Sequence, residues 1–286
     1  MFRKIIFVQR KRIELVVIAI LIIGIIGYAG AGLVYAGTRV ATADRTLNSV
    51  VSHQNTLNAT FGDIDTQLGT LTGNPTFKPQ DAVALVDKSV ANSEVASKTI
   101  TQDERSLSAA SQGLDDNGWL TTVGRGSLER EATRIGHARK ALAAARTIAA
   151  DKAVEGHFWH ALYSGLADLA TLNGQSTAGD PAAARSTLTT MKTDIDQAAQ
   201  QADAPPLPAD LRDLIADLQA FVGDYGKQLD AQIAGDDASV AVYQANVQAD
   251  LAKFATYDID AIGKEIDAFY KPMIERFNSE IAAATA

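Results

Sequence analysis

From Thr38 onward apolar residues recur three and four positions apart, and no useful stretch alternates with the period of two that a half-buried strand needs. Leu47, Val51, Gln54, Leu57, Phe61, Ile64, Leu68 and Leu71 form one stripe, which predicts a helix over 38–72 ended by Gly73-Asn74-Pro75. Val86, Val90, Ser93, Ile100, Leu107 and Leu114 predict a second over 80–113, stopped by Asp115-Asp116-Asn117-Gly118. Ser127 is the expected N-cap of a third, 127–173, with Leu128, Ile135, Leu142, Ile148, Trp159 and Leu166 on one face. Asp180 before Pro181 reads as N-cap plus first helical residue, opening a fourth helix over 181–203. Pro205-Pro206-Leu207-Pro208 stops it. A fifth follows over 209–234, and a sixth over 236–282 with a kink expected at Pro272.

The expectation is therefore an all-α fold with short connections, in which successive helices are antiparallel neighbours. At ~1.5 Å per residue the third and sixth helices would reach ~70 Å, and the fourth and fifth only ~35–40 Å. The arrangement expected is an elongated bundle of two stacked four-helix sections sharing those two long helices. The membrane-proximal section takes helices 38–72, 80–113 and parts of 127–173 and 236–282; the distal section adds the hairpin 181–203/209–234. On this path the 113–126 loop, with Trp119 and Leu120, is expected to return near the bilayer, as is the C-terminus. Two separate bundles joined at 113–126 are the alternative.

Charge changes the picture at the N-terminus. Arg3, Lys4, Arg10, Lys11 and Arg12 put five of the 26 basic residues in the first twelve positions, before any acid. The remainder holds 21 basic against 34 acidic residues, a net charge of -13 within a total of -8. Such a body repels nucleic acid. Next comes Ile13 to Ala36, in which Glu14 is the one ionisable residue expected to be charged. As a helix these 24 residues would measure ~36 Å, against a hydrocarbon core of ~30 Å. The segments expected are a cytoplasmic basic tail, 1–12, a transmembrane helix, 13–36, and an extracytoplasmic domain, 37–286, oriented by the positive-inside rule. The competing reading is a cleaved secretory signal, because Val34-Tyr35-Ala36 and Ala41-Thr42-Ala43 end in small residues. Gly27 with Ala31, or Gly32 with Ala36, would let two such helices approach closely and so permits a homo-oligomer.

The run RIELVVIAILIIGIIG, Arg12 to Gly27, resembles the start of a type IV pilin, which implies a processing site and a downstream sheet. Gln9 stands where the glycine before that site is expected, and the helical periodicity excludes the sheet. The likeness is therefore one of apolar composition over sixteen residues.

Catalytic and cofactor patterns are sparse. Without Cys there is no disulfide, zinc thiolate, iron–sulfur cluster or thiol nucleophile. The Glu-x-x-His pairs of carboxylate metal bundles, H-E-x-x-H, the phosphate loop and G-x-S-x-G are missing from the sequence. No catalytic residue, metal ligand or cofactor is expected. The one concentration of functional side chains is His157, Trp159, His160 and Tyr163, at a level where the fifth helix would bring Phe221 and Tyr225. This layer is the candidate ligand site, with core packing as its ordinary alternative. The expected function is that of a non-enzymatic scaffold, spacer or protein-interaction module anchored in the cytoplasmic membrane. Its partners would be the bilayer through 13–36 and other membrane or envelope proteins. The alternative is a ligand-sensing helical ectodomain that signals through a partner.

Overall fold

The computed structural model describes residues 28–57, 59, 62, 66–67, 78–115, 122 and 124–286. The apolar run before Tyr28, the turn at 73–75, Trp119 and Leu120 lie outside the described residues. Among the described residues the chain is helical, with no strand: α1 over 28–57, α2 Pro79–Asp115, α3 Arg125–Thr177, α4 Pro181–Gln201, α5 Ala209–Ala234, α6 Asp237–Phe254 and α7 Ile259–Thr285.

Two expected boundaries move for local reasons. α3 begins at Arg125 because the Gly124 carbonyl accepts from the Ser127 and Leu128 amides, which places Ser127 inside the helix instead of at its cap. The expected single helix over 236–282 is two, α6 and α7. Asp258 supplies the new start by accepting from the Ala261 amide at 2.9 Å, while its own carbonyl accepts from the Ile262 amide. The turn between them is held by the Tyr257 hydroxyl, which donates to Asp217 on α5 at 2.7 Å. Helical structure continues through Pro272.

Other ends match their residues closely. Asp180 accepts from the Ala183 amide at 2.9 Å ahead of Pro181. α5 closes on Gly235, whose φ of 73° is the left-handed conformation that only a residue without Cβ adopts cheaply. Asp236 then caps α6 through the Ser239 amide.

The chain divides into two compact units, each discontinuous in sequence. The first comprises residues up to His53, Thr101–Leu142 and Ser279–Ala286. Its buried apolar residues include Ala43, Leu47 and Val50 of α1, Leu107 of α2, and Ile135 and Leu142 of α3. Arg134 ties α3 to two other helices, donating to Asp44 of α1 at 3.1 Å and to the Ala284 carbonyl of α7 at 2.8 Å, and it also donates to Glu131 within α3 at 2.9 Å. His53 lies 3.0 Å from buried Asp103, and His137 lies 2.6 Å from Glu280. Gly113, Thr122 and Gly124 each meet a residue of α1. Tyr28 hydrogen-bonds Thr122 at 3.2 Å, Arg39 donates to the Gly113 carbonyl, and Gly124 sits against Ala36.

The second unit, Gln54–Ile100 and Ala143–Asn278, holds the larger core. Phe158 and Leu172 of α3, Leu188 and Ile195 of α4, Leu211 and Phe221 of α5, Val247 of α6 and Ile266 of α7 belong to one cluster. Two glycines let α3 make close contacts here. A Cβ on Gly156 would meet Val90 Cγ2 of α2 at 2.5 Å, and one on Gly165 would meet Ile195 Cδ1 of α4 at 2.8 Å.

Candidate functional site

The second unit encloses a cavity of about 550 Å³ among α1, α2, α3 and α7, within the range of small-molecule sites. Its walls arise from helix faces that bury small residues. Ala96 on α2, with Ala145 and Ala149 on α3, recede from the space, and Ile100, Ile148 and Phe277 close it with larger apolar surface. Leu57 and Gln54 line the α1 side, Gln54 being 3% exposed.

One wall carries a connected polar group. Lys152 lies 3.1 Å from Glu155 one turn along α3 and 4.6 Å from the centroid of the Tyr270 ring, a cation–π contact. The Tyr270 hydroxyl donates to Glu155 at 3.0 Å, and Trp159 Nε1 donates to its other oxygen at 3.3 Å. Glu155 thus gathers three donors, and these contacts hold Tyr270 and Lys152 in the cavity lining. At the opening α7 presents Asp267, Lys271 and Glu275, four residues apart and all exposed.

The six candidate residues from the sequence all belong to the second unit, and none lines this cavity. Trp159 and Tyr163 stack within α3 at 5.7 Å between centroids, as Phe221 and Tyr225 do within α5 at 5.7 Å. Phe221, 3% exposed, also meets Phe254 of α6 edge-on at 5.9 Å. Phe221 belongs to the core cluster, and Trp159 and Tyr225 pack against it. Burial and the nearby Glu155 charge push the Tyr163 hydroxyl up to about 12, so it stays protonated. His157 is exposed, and His160 Nδ1 lies 2.7 Å from Asp87 of α2. The structure therefore separates the two histidines, one facing solvent and one beside a carboxylate on the neighbouring helix. Among the described residues no group of three or more His, Cys, Asp or Glu is arranged to hold a metal ion.

Sequence reading missed Lys152, Glu155 and Tyr270. The spacing of Lys152, Glu155 and Trp159 along α3 was visible, but a cavity made by alanines leaves no hydrophobic signature. Nor does the sequence show that Tyr270 of α7 reaches Glu155.

Near residues 87, 160, 168 and 194 a second polar cluster joins α2, α3 and α4. Asp168 is raised above the ordinary carboxyl range by burial and by the charge of Asp194. Asp194 is raised by burial, an effect that His160 opposes. Asp168 Oδ2 is buried without a hydrogen-bond partner.

Compared with known proteins, the chain matches no family model, no curated protein and no solved structure.

Proposed function

We propose that this protein is a single-pass, membrane-anchored helical-bundle protein acting outside the cytoplasmic membrane as a non-enzymatic interaction module. The observation that carries the anchor is the outer surface of α1 where it leaves the apolar run. Leu33 and Val34 are 57% and 69% exposed, unlike Ala36 beside them at 3%. Two large adjacent apolar side chains facing outward at the end of a long apolar sequence suit contact with lipid better than contact with water. Tyr35, under the Arg39 guanidinium at 4.4 Å, suits the interface that follows. Among the described residues no helix is long and apolar enough to cross a membrane, and residues 13–27 lie outside them.

Alkaline carbonate extraction of membranes from cells expressing the full chain tests the anchor. The protein is expected to remain in the membrane pellet; release into the supernatant, or a mature chain beginning after Ala36 or Ala43, would refute it.

The cavity in the second unit supports a second reading, in which the interaction module is also a receptor for a small ligand. Its concave apolar wall with a few fixed polar groups is the form that small-molecule sites take.

A further inference from the structure

The cavity's opening carries both signs of charge in a fixed order. Asp267, Lys271 and Glu275 stand at successive four-residue steps of α7, and among the described residues none is joined in an ion pair. Lys152 adds a second cation on the α3 wall, held by Glu155 and the Tyr270 ring. Among the described residues the lining thus contains two ammonium and two carboxylate groups around an apolar interior.

This arrangement selects among headgroups. An anion placed at Lys271 lies between two carboxylates one turn away on either side, and a cation placed at either carboxylate meets Lys271 one turn away. An uncharged head would cover all three charges without compensating them, which costs free energy as they lose water. A head carrying both signs pairs its anion with Lys271 and its cation with Asp267 or Glu275, and so meets one charge of each sign with its opposite, leaving the other carboxylate hydrated at the surface. The interior beneath offers Leu57, Ile100, Ile148 and Phe277 to a hydrocarbon chain, with Ala96 and Ala145 leaving the room for it.

We infer that the cavity binds a single-chain zwitterionic amphiphile, its chain among α1, α2, α3 and α7 and its headgroup across Asp267, Lys271 and Glu275. This rests on the ligand-binding reading above and adds the chemical class of the ligand.

Trp159 provides a local reporter, because it donates to Glu155, the residue that also accepts from cavity-lining Tyr270. The chain has two tryptophans, so Trp119→Phe leaves Trp159 as the sole emitter. The full chain in lipid nanodiscs would be titrated with chain-labelled doxyl amphiphiles bearing a phosphocholine, sulfate, trimethylammonium or hydroxyl head. The phosphocholine probe is expected to quench Trp159 at a concentration roughly three- to tenfold below the others, as suits partly exposed charge pairs. Ala145→Phe, which fills the space, should weaken that quenching by about tenfold. Lys271→Glu changes only an exposed side chain and should move the preference to the trimethylammonium probe.

Equal quenching by all four heads, unaltered by Lys271→Glu, would overturn the zwitterion assignment while leaving an apolar ligand site. Quenching untouched by Ala145→Phe in a variant with native circular dichroism would place the probe in the bilayer instead of the cavity and overturn both. No quenching by any probe would overturn the ligand-binding reading itself.

Discussion

At the residue scale the most exposing positions are those where the native side chain is the smallest available. Gly156 lets α3 pass Val90, whose β-branched side chain has little rotamer freedom to withdraw. Gly156→Ala is expected to cost about 1–3 kcal/mol through forced overpacking, read as a lower denaturant midpoint at unchanged slope. Asp168 and Asp194 make a prediction of opposite character. Both carboxyls are raised in the folded state, so the folded chain holds their protons more tightly than the unfolded chain does. Their penalty is present at neutral pH and relieved as pH falls through the raised values toward the ordinary 3.8. Asp196 and Asp217 act the other way. Hydrogen bonds from Lys192 and Tyr257, respectively, lower them, so their contribution persists down to the unfolded value and is lost as pH falls through the folded one. Asp168→Asn should therefore raise Tm at neutral pH and flatten the rise that the native chain shows on mild acidification. A variant with the native pH profile would show that this carboxyl pair does not contribute.

At the element scale, break points are decided by single capping groups. The hydrophobic stripe from Val240 to Phe277 reads as one helix because its apolar positions continue past the break. The chain nevertheless stops at Phe254 and restarts at Ile259, where Asp258 caps the new helix and Tyr257 is tied to Asp217 of α5. No periodicity reveals a partner forty residues away. Asp258→Ala is expected to cost about 1 kcal/mol and to raise amide exchange over the first turn of α7, with little change in α6. The all-α class, the Asp180 cap and the 209–234 helix were legible because each rests on local chemistry. Part of α2's core was not. Its buried positions, Ala82, Val86, Ser89, Ser93, Ala96, Ile100, Asp103 and Leu107, follow the four-three spacing of a coiled-coil seam. Five of the eight are alanine, serine or aspartate, so a count of large apolar residues sees only Val86, Ile100 and Leu107. Small residues, Ala96 here and Ala145 and Ala149 on α3, also explain why the cavity escaped notice, while the more visible Trp159, Phe221 and Tyr225 belong to the core or pack against it.

At the scale of the whole molecule the account depends on the contrast between its beginning and its remainder. Five basic residues precede a body of net charge -13 from position 13 onward, which opens with a long apolar run. That body has no reason to approach anionic lipid by charge, so attachment rests on the apolar run and on the exposed Leu33 and Val34 that follow it. The native chain contains no Cys, so single introduced cysteines report their side of the membrane without background. The most direct measurement is labelling of intact cells with a membrane-impermeant maleimide, using Lys4→Cys and Asp237→Cys in the full chain. Asp237, at the exposed start of α6, should label in intact cells, and Lys4 only after permeabilisation. Equal labelling of both positions in intact cells, or protection of position 237 until the cells are opened, would contradict the proposed anchored topology.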